Sequence, residues 1–122
     1  NELLQTRRRK FVRARDQLLD AAVSAFALVL NPDRLSVLES IKAYETLTRF
    51  AVPVTGIVVN RVLPTDAEGA FLDARRRQEA RYLEEIDRVF SRLPRVRVPL
   101  QPDEVHDMET LRRLGHLILA ID

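Results

Sequence analysis

The chain has 122 residues, 46% of them apolar and 31% charged, which suits one domain able to bury a real core. The net charge is only +2, and basic and acidic residues interleave, so no one-signed field invites nucleic acid or an anionic membrane. Without a single cysteine the chain can form neither disulfides nor thiolate metal sites, and an intracellular, cytoplasmic setting is expected.

No apolar stretch approaches the ~20 residues of a membrane span, and no signal peptide opens the chain. The first residue is Asn1 and the sole methionine is Met108, so a trimmed or partial chain is expected.

Residues 2–22 read as a helix, with Leu4, Phe11, Leu18, Leu19 and Ala22 at helical spacing. The one basic run, "RRRK" at 7–10, is taken as the solvated face of that helix. A nucleic-acid contact would need more basic residues with aromatic partners. The next run, "SAFALVL" at 24–30, is long enough for one buried strand.

In "NPDRLSVLES", Asn31 suits an N-cap, Pro32 the first helical position and Asp33 a first-turn acid. That helix should run to about Phe50 and bury Val37, Ile41, Tyr44 and Leu47. Pro53 separates it from a strand over 54–60. Strand, helix and strand here make a βαβ unit, which demands parallel pairing. The strands are continuously apolar, as expected where both faces are covered.

"TDAEGA" is a polar loop, and a helix is expected over 70–93. Its second half carries the stripe Tyr82, Leu83, Ile86, Val89, Phe90 and Leu93. Its first half, "LDARRRQEAR", is charged and reads as exposed, with i,i+4 pairs Arg75–Glu79 and Arg81–Glu85. "RVRVPL" at 95–100 alternates as a strand, and "QPDEVHD" is a loop. A last helix over 108–121, with Asp107 as N-cap, should bury Leu111, Leu114, Ile118 and Ile121. The pattern is α/β, with three strands, about four helices, no internal repeat and no interdomain linker.

The three glycines, Gly56, Gly69 and Gly115, are scattered, so the chain has no phosphate-cradling loop and no dinucleotide fingerprint. His106 and His116 are too far apart to share a helix face as a metal pair. No serine sits in a G-x-S-x-G turn. Nothing here performs catalysis alone.

What remains is the edge of the sheet. The strand tip at Asn60 and the segment from Pro99 to His106 fall on the same edge if all strands are parallel. An asparagine amide presents an acceptor beside donors, which matches N6 and N7 of adenine. Asparagine also begins turns well. Asp33 can serve as a helix-dipole carboxylate, and Asp103 and Glu104 as ordinary loop acids. Pattern alone leaves both readings open.

The series "FALVLNPDRLSVLES … VPVTGIVVNRVLP … RRRQEARYLEEI … VPLQPDEVHDMETLRRL" resembles the C-terminal part of the ArsA-type ATPases. This family includes the arsenical-pump ATPase and the ATPase that targets tail-anchored membrane proteins. The resemblance implies a parallel sheet of P-loop NTPase type, in a dimer with nucleotide near its interface. By it, residues 1–22 are the preceding helix and 23–122 the adenine side of the ATPase domain.

It further implies that Asn60, ending "VVN", reads the adenine. The loop Pro99, Leu100, Gln101, Pro102, Asp103, Glu104, Val105 and His106, in the pattern P-L-x-x-x-E-V, wraps the base. Asp33 stands where the family usually has glutamate in a "P-E" pair near nucleotide, one methylene shorter here. ATP is the implied ligand, with the P-loop, the switch regions and the Mg²⁺ site expected upstream. Zinc, which some members bind through a Cys-x-x-Cys pair, is not expected. A homodimer and a membrane-protein or transporter partner are implied, and no nucleic acid. The alternative is a non-catalytic α/β interaction module or regulatory subunit.

Overall fold

The computed structural model describes residues 1–104 and 107–119. In chain order the elements are α1 (Glu2–Leu19), β1 (Phe26–Leu30), α2 (Arg34–Arg49), β2 (Val54–Val62), α3 (Ala70–Val89), β3 (Arg95–Pro99) and α4 (Met108–Leu119). The strands form one sheet in the order β1-β2-β3, parallel throughout, so the expected α/β architecture is present. All three strands therefore end on one edge.

The core lies on one face of the sheet. Leu30 of β1 and Ile57 and Val59 of β2 pack with Val37 of α2 and with Ile86 and Phe90 at the end of α3. The α2 stripe is completed by Ile41 and Tyr44, and Tyr44 meets Phe90 edge-on at 5.4 Å. Rings at this separation and angle add a favourable quadrupole contact to the burial. Val89, expected in the α3 stripe, stays 37% exposed, because α3 ends there and Phe90 turns inward.

The sequence also predicts cover on both faces, and this holds only in part. Val98 on β3 is buried, and α4 packs against β3. Val29 on β1, two strands away, is 63% exposed. The second face is thus covered at β3 and bare at β1. Leu111, expected in the core, is 50% exposed. The side chains of Leu114 and Ile118, and all of Ile121, lie outside the described residues.

Several boundaries differ from the sequence reading, each for a local reason. The N-cap of α2 is Asp33 and not Asn31, with Pro32 just outside the helix. The Asp33 carboxylate accepts the Ser36 N–H at 2.8 Å, while the Asn31 N–H donates to the Ser36 hydroxyl at 2.9 Å. This reciprocal arrangement satisfies orphan donors as a capping box does. α1 stops at Leu19, where the Asp20 side chain accepts the Ala22 N–H. β1 opens at Phe26, since Ser24 is engaged with the Gln17 carbonyl.

The C-terminal end of α3 is fastened to β3. Arg95 donates to Asp87 at 3.0 Å and to the Phe90 and Leu93 carbonyls at 2.8 Å, and Arg97 donates to the other Asp87 oxygen at 2.8 Å. No residue of α1 is buried, so its predicted apolar stripe has no partner on the sheet. No described helix is long and apolar enough to cross a membrane.

Candidate functional site at the strand ends

Three segments leave the sheet along its C-terminal edge: 31–33 after β1, 60–63 at the end of β2, and 100–104 after β3. In open α/β sheets this edge is where ligands bind. A larger open groove of about 670 Å³, between Gln5 and Asp20, is lined by α1 alone and brings no strand end into play.

β2 does not end at Asn60 as the sequence suggests, but continues to Val62. The ladder to β3 slips between Val59 and Val62, and Arg61 takes a left-handed backbone with φ 58°. A side chain disfavours that region, so surrounding contacts must hold it. Asn60 is half-buried at this irregularity. Its amide makes no hydrogen bond with the described residues, and no buried polar side-chain atom among them lacks a partner. The amide is thus both free and within reach of solvent.

The loop after β3 is brought alongside. The Leu100 N–H donates to the Val62 carbonyl at 2.7 Å, and the Gln101 amide donates to the Pro99 carbonyl at 2.7 Å. Pro99 ends β3, and Gln101, Pro102, Asp103 and Glu104 follow as an exposed turn. Val105 and His106, also expected in this loop, lie outside the described residues.

A recess of about 320 Å³ opens at this edge on the α2–α3 side. It gathers Asp33, Arg61, Leu100, Gln78, Glu79 and Tyr82, among others. Two of the expected site residues, Asp33 and Leu100, therefore share one wall. Asn60 is not on that wall. Alternation along β2 puts Asn60 on the face opposite Val59, and Val59 belongs to the α2–α3 core. The edge thus presents polar groups on both sides of the sheet. Asp33 has its cap oxygen committed to Ser36.

Residues that sequence reasoning missed come from α3. Glu79, expected in an exposed pair with Arg75, is 8% exposed and forms no ion pair with it. Both its oxygens face the Leu63 N–H, at 3.2 and 3.0 Å. The expected Arg81–Glu85 ion pair is likewise absent among the described residues. Arg76 donates to the carbonyls of Pro64 at 2.9 Å and Ala67 at 2.6 Å. Among the described residues no group of three or more His, Cys, Asp and Glu side chains converges as metal ligands would.

A parallel α/β sheet of this kind fits a P-loop NTPase type of domain, and comparison with known proteins narrows it. The family model described as anion-transporting ATPase matches residues 1–120, and the chain belongs to this ArsA-type ATPase family. It is 28% identical over 117 residues to a putative arsenical pump-driving ATPase 2 of Aquifex aeolicus, covering 96% of this chain and 38% of that protein. It is 30% identical over 123 residues to ATPase GET3 of Chaetomium globosum, covering 98% of this chain and 36% of the relative. Against ATPase GET3A of Arabidopsis thaliana it is 30% identical over 106 residues, covering 85% and 30% respectively. The chain therefore spans about a third of the length of these relatives.

Proposed function

We propose that this chain is the C-terminal, adenine-recognising portion of an ArsA-type ATPase that couples ATP hydrolysis to transport or targeting. The observation that carries the reading is Asn60: a half-buried amide without a partner among the described residues, two residues before the end of the central strand, whose last carbonyl, that of Val62, holds the Leu100 N–H of the loop after Pro99. An amide in that state can give and accept the hydrogen bonds of adenine N6 and N7 together. The Pro99–Glu104 turn, anchored by the Leu100 N–H, supplies a wall for the base.

The phosphate and Mg²⁺ chemistry belongs to a glycine-rich loop and switch regions outside this chain, where lysine and the metal neutralise transferring charge. What these 122 residues do is orient the base. The protein works in the cytoplasm as a homodimer with a membrane-protein or transporter partner. The test is Asn60→Ala in the full-length protein, with ATP and GTP compared as substrates. Loss of a paired amide should reduce the preference for ATP by about tenfold, or ~1.4 kcal/mol. An unchanged preference would remove Asn60 from the site.

The bare α1 helix favours a second reading, a protein-interaction module. In that case Asn60→Ala leaves nucleotide use untouched, and substitutions on α1 abolish partner capture.

A further inference from the structure

Glu79 is the one buried charged side chain among the described residues. Burying a carboxylate is costly unless it is well hydrogen-bonded, and this one spends its bonding on a single backbone group. That group, the Leu63 N–H, is the first donor after β2 ends, and among the described residues it is received by Glu79 and by no strand neighbour. One turn earlier on α3, Arg76 takes the carbonyls of Pro64 and Ala67, and its other nitrogen pairs with Asp73 at 3.2 Å. Two side chains three positions apart on one helix thus grip the chain as it leaves the sheet, one by a donor and one by two acceptors.

The gripped segment begins two residues after Arg61. Its left-handed backbone is unfavourable in isolation and persists only where flanking contacts over-determine it. On the upstream side Val59 is fixed in the core, and on the downstream side Leu63 is fixed by Glu79. Between the two anchors stand Asn60 and Arg61. The Val62 carbonyl lies in the same short span and holds the Leu100 N–H, so the loop after β3 is registered to the same fixed point.

We infer that Glu79 and Arg76 are positioning residues: they hold the exit of β2 so that Asn60 and the Pro99–Glu104 turn keep the spacing needed to take a purine between them. The purine part of this inference rests on the adenine reading of Asn60; the clamp itself does not. The role needs an acceptor at position 79 and not its charge, so glutamine can fill it.

The decisive experiment uses the full-length protein with Glu79→Ala, Glu79→Gln and, as a control for plain destabilisation, Val37→Ala in the core. Two quantities are read: hydrogen exchange at the Leu63 amide, and the ratio of kcat/KM for ATP over GTP. In E79A the Leu63 amide should exchange at least about tenfold faster and the ATP preference should fall about tenfold, the size of one hydrogen bond. E79Q should stay within about twofold of the parent in both, while V37A lowers the melting temperature and leaves the ratio alone.

If E79A does not fold, Arg76→Met loosens the other half of the clamp and should move both quantities in the same direction. Unchanged Leu63 exchange in the loosened variant overturns the clamp. Fast exchange with an unchanged nucleotide ratio, or an equal loss of ratio in V37A, overturns the positioning role. A parent protein that treats ATP and GTP alike sinks the adenine reading instead, and the exchange data alone then decide the clamp.

Discussion

α1 and α3 are the two arginine-rich helices of this chain, and they end up in opposite circumstances. α1 carries Leu3, Leu4, Phe11 and Leu18 at helical spacing and buries none of them. The first half of α3 has no buried apolar stripe, with Phe71 76% exposed, yet it contains the one buried acid among the described residues and the arginine that holds two loop carbonyls. An apolar stripe is a demand for a partner, and α1 meets none on this sheet. A charged stretch is not a guarantee of exposure. Where a strand ends and leaves backbone donors and acceptors unmatched, charged side chains on a neighbouring helix can be drawn inward to satisfy them.

Substitutions at three positions bear on this contrast, in decreasing order of effect. Ile86→Ala, in the half of α3 that faces the core, removes a side chain with 0% exposure and should cost about 3 kcal/mol in denaturant unfolding. A loss below about 1 kcal/mol would mean that the α3–sheet contact is much looser than its burial indicates. Asp33→Ala removes the α2 cap while leaving the sheet intact, and should cost about 1 kcal/mol by thermal or chemical melting. Asp33→Asn, which keeps the acceptor, should recover most of it.

Phe11→Ala on α1 should change stability by less than about 0.5 kcal/mol, since the ring is 76% exposed. A loss above 1 kcal/mol would show that α1 is covered in solution, and the contrast between the two helices would then be one of partner rather than of fold.

The element sequence was legible because each run has its own period. "FALVL" and "IVV" are apolar without a break, and the Val37–Tyr44 stripe is plainly helical. Parallel pairing followed from the helix between the first two strands. The strand-end edge was legible for the same reason, since topology alone brings 31–33, 60–63 and 100–104 together.

The details that escaped the reading depend on competition between local partners. Asn31 and Asp33 are both good caps, and Ser36 decides for Asp33 by bonding at both ends. Nothing in "VVNRVLP" announces that the strand continues past Asn60 through a left-handed arginine, because that residue is held by tertiary contacts. Glu79 reads as one of many surface acids, and only the end of β2 opposite it gives it a different role. A hint was present in the first half of α3. An acid three residues after an arginine, next to a proline-ended strand, is the composition such a clamp requires.

The bare face of β1 has a consequence for handling this protein. β1 is an edge strand of five residues, "FALVL", with no charge and no proline, and Val29 stands exposed on it. Natural sheets protect such edges with lysine, proline or a bulge; this strand holds neither lysine nor proline, and its one register irregularity falls at its start, between Phe26 and Ala27. In these 122 residues taken alone it is a template on which another strand can be laid down, from the rest of a longer protein or from a second copy. In the isolated 122-residue chain turbidity and fibril growth should therefore begin here, and a single lysine in place of Val29 should delay both more than any change on α1.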